Sequence, residues 1–172
     1  MKTASNNSTY RLVLTALIAA VGMLLGYIET LVPLPIAVPG IKLGFANIAI
    51  LFALYAVDIR MALFVAIAKL LVVAFTFGSP FMALFSLGGT ALAFVAMVLL
   101  KKTERVGIVG VSSAAAVCHN LGQLCVATFA LGTPSVWSLA PVLIVAGIIT
   151  GCITGALAAL ILKATSSVVK GA

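Results

Sequence analysis

Six apolar runs separated by short breaks occupy this chain almost from end to end, and the basic residues between them fall on alternate sides. A helix needs about 20 apolar residues to cross the hydrocarbon core of a bilayer. Spans are expected over 12–31, 43–57, 61–77, 81–100, 106–131 and 141–162. The second is short and borrows its outer end from the loop before it. With 64% of residues hydrophobic and only 8% charged, the chain has too little polar surface to close around a water-soluble core. Residues 1–11 read as a frayed tail, and 1–172 as one membrane domain. The first run is too long for a signal-peptide core and lacks a cleavage site, so it reads as a retained helix.

The ten Lys and Arg residues orient the bundle. Lys2 and Arg11, Arg60, Lys101, Lys102 and Arg105, and Lys163 and Lys170 share one side of a six-span arrangement, whereas Lys42 is alone on the other. The positive-inside rule then puts both termini in the cytoplasm, and the protein in the cytoplasmic (inner) membrane as a multi-pass chain. A net charge of +7 is accounted for by topology and attraction to lipid headgroups, with no nucleic-acid partner implied. Asp58 and Arg60 read as a solvated inner turn.

Lys69 lies inside the third span, where an ionisable group either faces a wet cavity or snorkels to the headgroups. In the fifth span His119, Asn120 and Gln123 are spaced to project from one side of a helix. They serve either as interhelical hydrogen-bonding glue or as the lining of a ligand pocket. The connection from Glu29 to Asn47 holds three prolines and two glycines among mostly apolar side chains. Irregular backbone of this kind is stable at membrane depth only when buried by protein or lining a cavity, so the loop is expected to fold over the outer mouth. Glu29 and Lys42 bracket it, as a mutual ion pair or as charges offered to a ligand, and Asn47 lies just inside the second span.

Small residues recur at Gly147, Gly151, Gly155 and Ala159, and at Ala16, Ala20, Gly22 and Gly26, which allows close helix packing. Internal packing is expected for the first set, and a docking surface for a membrane partner at Ala16 and Ala20. Cys118, Cys125 and Cys152 read as small buried side chains without a disulfide. One His without a Cys or carboxylate partner at ligand spacing gives no metal site. The chain has no P-loop, and three carboxylates in total provide no paired cluster for Mg²⁺ and a diphosphate. A self-sufficient enzyme is not expected, and neither is a bound cofactor.

The stretch Leu31-Val32-Pro33-Leu34-Pro35, continuing through Pro39-Gly40-Ile41-Lys42-Leu43-Gly44 to Ala46-Asn47, with five more spans after it, resembles the Gx transporter family, whose members are also labelled heptaprenyl diphosphate synthase component I. That family is similar to the S components of energy-coupling-factor transporters. The resemblance implies an all-α six-helix membrane bundle, S-component-like, that captures a small vitamin-like or cofactor-precursor solute. It also implies dependence on a separate transmembrane coupling subunit and two ATPases, docked through Ala16 and Ala20. Glu29, Lys42, Asn47, Lys69, His119, Asn120 and Gln123 are the substrate-binding candidates, and their balance of charge favours a carboxylate or phosphate. The alternative is a noncatalytic membrane partner of a polyprenyl diphosphate synthase, since elongating synthases carry aspartate-rich motifs and this chain has a single Asp.

Overall fold

The computed structural model describes residues 4–31, 46–76 and 80–166. These residues form helices α1 (Ala4–Leu31), α2 (Asn47–Ala56), α3 (Ile59–Thr76), α4 (Pro80–Thr103), α5 (Ile108–Leu131) and α6 (Ala140–Ala164), with a 3₁₀ turn at Pro134–Leu139 leading into α6. No strand occurs among the described residues. Four helical stretches, Thr9–Glu29, Ala83–Thr103, Ile108–Leu131 and Pro134–Ala164, are long and apolar enough to cross a membrane. α2, at ten residues, rises only about 15 Å and reaches roughly half-way across a hydrocarbon core. The first helix starts at Ala4, so part of the stretch expected as a frayed tail is helical.

Polarity is inverted relative to a water-soluble bundle. Leu17, Val21, Leu24 and Ile28 of α1, Phe64, Ile67 and Leu71 of α3, and Val142, Val145 and Ile149 of α6 are exposed, while Asn47, Lys69, Thr90, His119, Asn120 and Gln123 are buried. Such a surface is at home only in lipid, where burying polar groups inside the protein is the favourable choice. The chain is a multi-pass membrane protein.

α5 runs between α4 and α6 and is the most enclosed of the long helices. Glycines permit that position. A Cβ on Gly122 would fall on the Gly88 carbonyl oxygen and lie 3.0 Å from Gly89 Cα, and one on Gly155 would lie 2.8 Å from Val109 Cα. Gly147 and Gly151 meet the α5 backbone at Val117 and Ser113, so the α6 stripe packs internally. Ser112 and Thr154 close this seam with a hydroxyl pair at 3.0 Å. Gly132, with φ 61°, ends α5 in the left-handed region that glycine enters without a Cβ penalty. On α1 the small residues divide by face: Gly22 meets Ala49 of α2 and Gly26 meets Ala46 just before it, whereas Ala16 and Ala20 are exposed. Among the cysteines, Cys118 and Cys125 are half-buried and Cys152 is exposed, which corrects the expectation of burial for the last.

Three connections expected on one side do meet at one end of the bundle. Arg11 of α1 pairs with Asp58 in the α2–α3 turn. Lys101 of α4 donates to the Leu54 carbonyl near the end of α2, and its ammonium lies 4.9 Å from the centre of the Tyr55 ring. Arg60, Lys102, Arg105 and Lys163 are exposed.

Asp58 is therefore more than a solvated turn residue. Its Oδ1 accepts the Met61 backbone N–H at 2.8 Å, the arrangement of a helix N-cap, as well as pairing with Arg11. The Met61 bond is the largest cause holding this carboxyl below the usual carboxylate range, followed among the stabilising causes by the Arg11 charge, while partial burial opposes them. A depressed folded-state value contributes stability above the ordinary carboxylate range that is lost as pH falls through the lowered value. Asp58→Ala is expected to lower stability by about 1 kcal/mol, the usual worth of a lost cap. Equilibrium unfolding in mixed micelles checks both points: the wild-type protein should weaken on acidification below about pH 4, and the variant should weaken less steeply. A variant as stable as wild type at neutral pH contradicts the capping role.

Candidate functional site: a polar layer above an apolar plug

The half of the bundle next to the basic end is filled by one apolar cluster, which includes Ile50 and Leu51 of α2, Val65 and Ala66 of α3, Ala93 and Met97 of α4, and Val111 and Ala115 of α5. Side chains three or four positions apart lie on one helix face. One turn beyond this cluster, away from the basic end, the same faces carry Asn47, Lys69, Thr90 and His119. At about 1.5 Å rise per residue all four lie roughly 16–20 Å along their helices from that end. Four helices thus place polar groups at one depth, on top of an apolar plug.

Two of them are in direct contact. Lys69 Nζ donates to Asn47 Oδ1 at 2.9 Å, with both residues about 5% exposed. Of the two readings of Lys69, snorkelling does not describe this arrangement: the ammonium sits on an amide inside the bundle. Because an ammonium only donates, the amide oxygen of Asn47 faces Lys69 and the Nδ2 group is left as a donor. Nδ2 is buried and has no hydrogen-bond partner among the described residues, and the same holds for Thr90 Oγ1.

The fifth-helix trio is split between two neighbours. His119 and Gln123 turn towards α4: a Cβ on Gly89 would lie 2.8 Å from His119 Nδ1 and 2.9 Å from Gln123 Cγ, so the absence of a side chain at Gly89 makes room for the imidazole. Asn120 turns towards α6, where its Nδ2 donates to the Leu143 carbonyl at 2.7 Å and acts as an interhelical clasp. The residues expected to project together therefore serve two interfaces, His119 and Gln123 lying against α4 at Gly89 and Asn120 against α6 at Leu143. Glu29 of α1 is buried, one turn beyond Gly26, at the outer rim of the layer. Lys42 lies outside the described residues, as does most of the Pro-rich loop expected to cover the mouth. Among the described residues no group of three or more His, Cys, Asp or Glu side chains is placed to hold a metal ion.

Thr90 was not a candidate from the sequence. A lone threonine in an apolar helix gives no signal, since its hydroxyl ordinarily bonds to the carbonyl four residues back. Only the unmet hydroxyl distinguishes it.

The family model described as heptaprenyl diphosphate synthase component I matches residues 18–161, which include all four residues of the layer. The chain belongs to that family. As a heptaprenyl diphosphate synthase component I family member it carries a name describing one component of a synthase, which implies a partner component. Among curated proteins and among solved structures, none matches the chain.

Proposed function

We propose that this family member is the substrate-binding subunit of a multi-component ATP-driven importer for a small vitamin-like or cofactor-precursor solute. In this reading ATP is hydrolysed on separate subunits and the chain itself is not an enzyme. α1, α2 with residues of the preceding loop, α3, α4, α5 and α6 form six spans, with both termini and the basic end in the cytoplasm. The observation that carries the proposal is the polar layer of Asn47, Lys69, Thr90 and His119 on an apolar plug. In this reading a solute comes from the end opposite the basic one, where Phe85, Leu124 and Leu143 pack as a second apolar cluster on α4, α5 and α6, and beyond the layer the bundle is packed with Ile50, Leu51, Val65 and Met97. Such a subunit captures its ligand and needs an external conformational drive to release it. Glu29, Lys42, Asn47, Lys69, His119 and Gln123 are the ligand contacts in this reading. Asn120 holds α6 and bounds the site.

The family description favours a second reading, a noncatalytic membrane partner of a polyprenyl diphosphate synthase. A pull-down in mild detergent from native membranes separates the two. Recovery of a transmembrane coupling subunit with two ATPases supports the importer; recovery of a soluble synthase subunit without them supports the second reading.

The exposed Ala16 and Ala20 are the proposed docking face for the coupling subunit, since small outward residues let another helix approach closely. Ala16→Trp combined with Ala20→Trp is expected to reduce co-purification and uptake at least tenfold while leaving solute affinity within about twofold, the difference expected when only a docking surface is blocked. Uptake at the wild-type rate by the double variant removes this surface.

A further inference from the structure

Among the described residues, several threonines inside helices satisfy their hydroxyls on the preceding turn. Thr15 donates to the Arg11 carbonyl at 2.7 Å, Thr128 to Leu124 at 2.8 Å, Thr150 to Ala146 at 2.9 Å and Thr154 to Thr150 at 2.9 Å. Thr90 is more deeply buried than Thr150 or Thr154, at 1% exposure, and its hydroxyl has no partner among the described residues. Asn47 Nδ2, on α2 at a similar distance from the basic end, is in the same condition. A buried polar group left without a partner is unfavourable by an amount that a valine or leucine in its place would avoid. Two such groups, each one turn beyond the same apolar cluster, indicate a position completed by something other than the described residues.

Their chemistry selects the occupant. Asn47 Nδ2 can only donate, Lys69 beside it is a cation that can only donate, and a threonine hydroxyl donates when an acceptor is presented. We infer that Thr90 and Asn47 are hydrogen-bond donors to an oxyanion, a carboxylate or a phosphate, carried by the molecule that occupies the polar layer. This rests on the reading of the layer as a small-molecule site, and it holds whether the oxyanion belongs to a water-soluble solute or to the head of a prenyl diphosphate. Thr90 thereby joins the binding residues as a specificity determinant, discriminating acids from the corresponding amides and alcohols.

The test uses the full-length protein in mild detergent and measures thermal stabilisation by benzoate, inorganic phosphate and farnesyl diphosphate, with benzamide and farnesol as uncharged counterparts. At least one oxyanion should raise the melting temperature saturably, and the uncharged compounds should not. Thr90→Val and Asn47→Leu should each weaken that binding about tenfold or more, as for one lost hydrogen bond to a charged group. Without ligand, Thr90→Val should melt at or above the wild-type temperature, because it removes an unmet hydroxyl and keeps the shape. Stabilisation by benzoate or phosphate assigns the site to a soluble acid, and stabilisation by farnesyl diphosphate alone assigns it to a prenyl amphiphile. The inference is overturned by binding of none of the three anions, by equal binding of the uncharged compounds, by unchanged affinity in Thr90→Val, or by a lowered melting temperature of ligand-free Thr90→Val, which would mark the hydroxyl as structural. Anion binding by a protein that recovers no coupling subunit and ATPases would discard the importer and keep the oxyanion site. Recovery of those subunits with binding of uncharged probes alone would do the reverse.

Discussion

Gly122→Ala is expected to leave little correctly folded protein. The added methyl would fall on the Gly88 carbonyl oxygen, 2.8 Å from Gly88 carbonyl carbon and 3.0 Å from Gly89 Cα. All three are backbone atoms, so no side chain can rotate away, and relief requires α4 and α5 to separate along the contact that positions His119. Overpacking ordinarily costs about 1–3 kcal/mol, and the upper end or beyond applies where the obstacle is main chain. The helix-propensity gain of alanine over glycine, about 0.5–1 kcal/mol, does not offset it. Gly26→Ala provides the contrast. Its Cβ would lie 3.6 Å from Ala46 Cβ, an ordinary van der Waals distance, so that variant should match or exceed the wild type by about 0.5 kcal/mol. Equilibrium unfolding in mixed micelles measures both, and a Gly122→Ala protein as stable as Gly26→Ala would mean that α4 and α5 do not approach as described.

The second large effect is expected from the buried Lys69 and Asn47 pair. Asn47→Leu removes an acceptor from an ammonium that is 5% exposed, and hydrogen bonds to charged groups contribute about 1.5–3 kcal/mol. A loss of about 2 kcal/mol is expected for that single variant. Replacing both partners with apolar residues of similar volume tends to be neutral or stabilising, so Asn47→Leu with Lys69→Met should recover most of the lost stability. Ligand binding should not recover, because the Asn47 and Lys69 donors are gone from the layer and only Thr90 is left of the three named. A double-variant cycle in unfolding free energy, run beside a ligand-binding assay, separates the two roles. Recovery of binding together with stability in the double variant would show that the pair is only structural.

The lipid environment was legible from the sequence because it follows from composition and run length, and those depend on no packing detail. The gathering of basic residues at one end was legible for a similar reason: charge resists entry into hydrocarbon, so its position along the chain reports the ends of helices. The contacts within that end were less visible. Nothing in the spacing of Arg11 and Asp58 announces that they meet, since the pair joins α1 to a turn 47 residues away.

The polar layer was legible in part. Asn47, Lys69 and His119 stand out as polar side chains in apolar runs, whatever their neighbours. That His119 and Gln123 face α4 while Asn120 clasps α6 was beyond spacing arguments, because helical periodicity gives directions around one axis and not the positions of the helices on either side. On α1 likewise, Ala16, Ala20, Gly22 and Gly26 are all small, and only packing assigns the glycines to α2 and the alanines to the outer surface.

Residue order was enough for the solvent, the helical class and the basic end, for each is an additive property of residues taken along one chain. Which polar groups are satisfied depended on how the helices pack. Thr90 and Thr154 are the same residue type in similar apolar surroundings, yet one hydroxyl is bonded to its own helix and to Ser112 and the other has no partner among the described residues. Hydrogen bonding is directional and short-ranged, so its outcome depends on distances between helices that residue order does not contain.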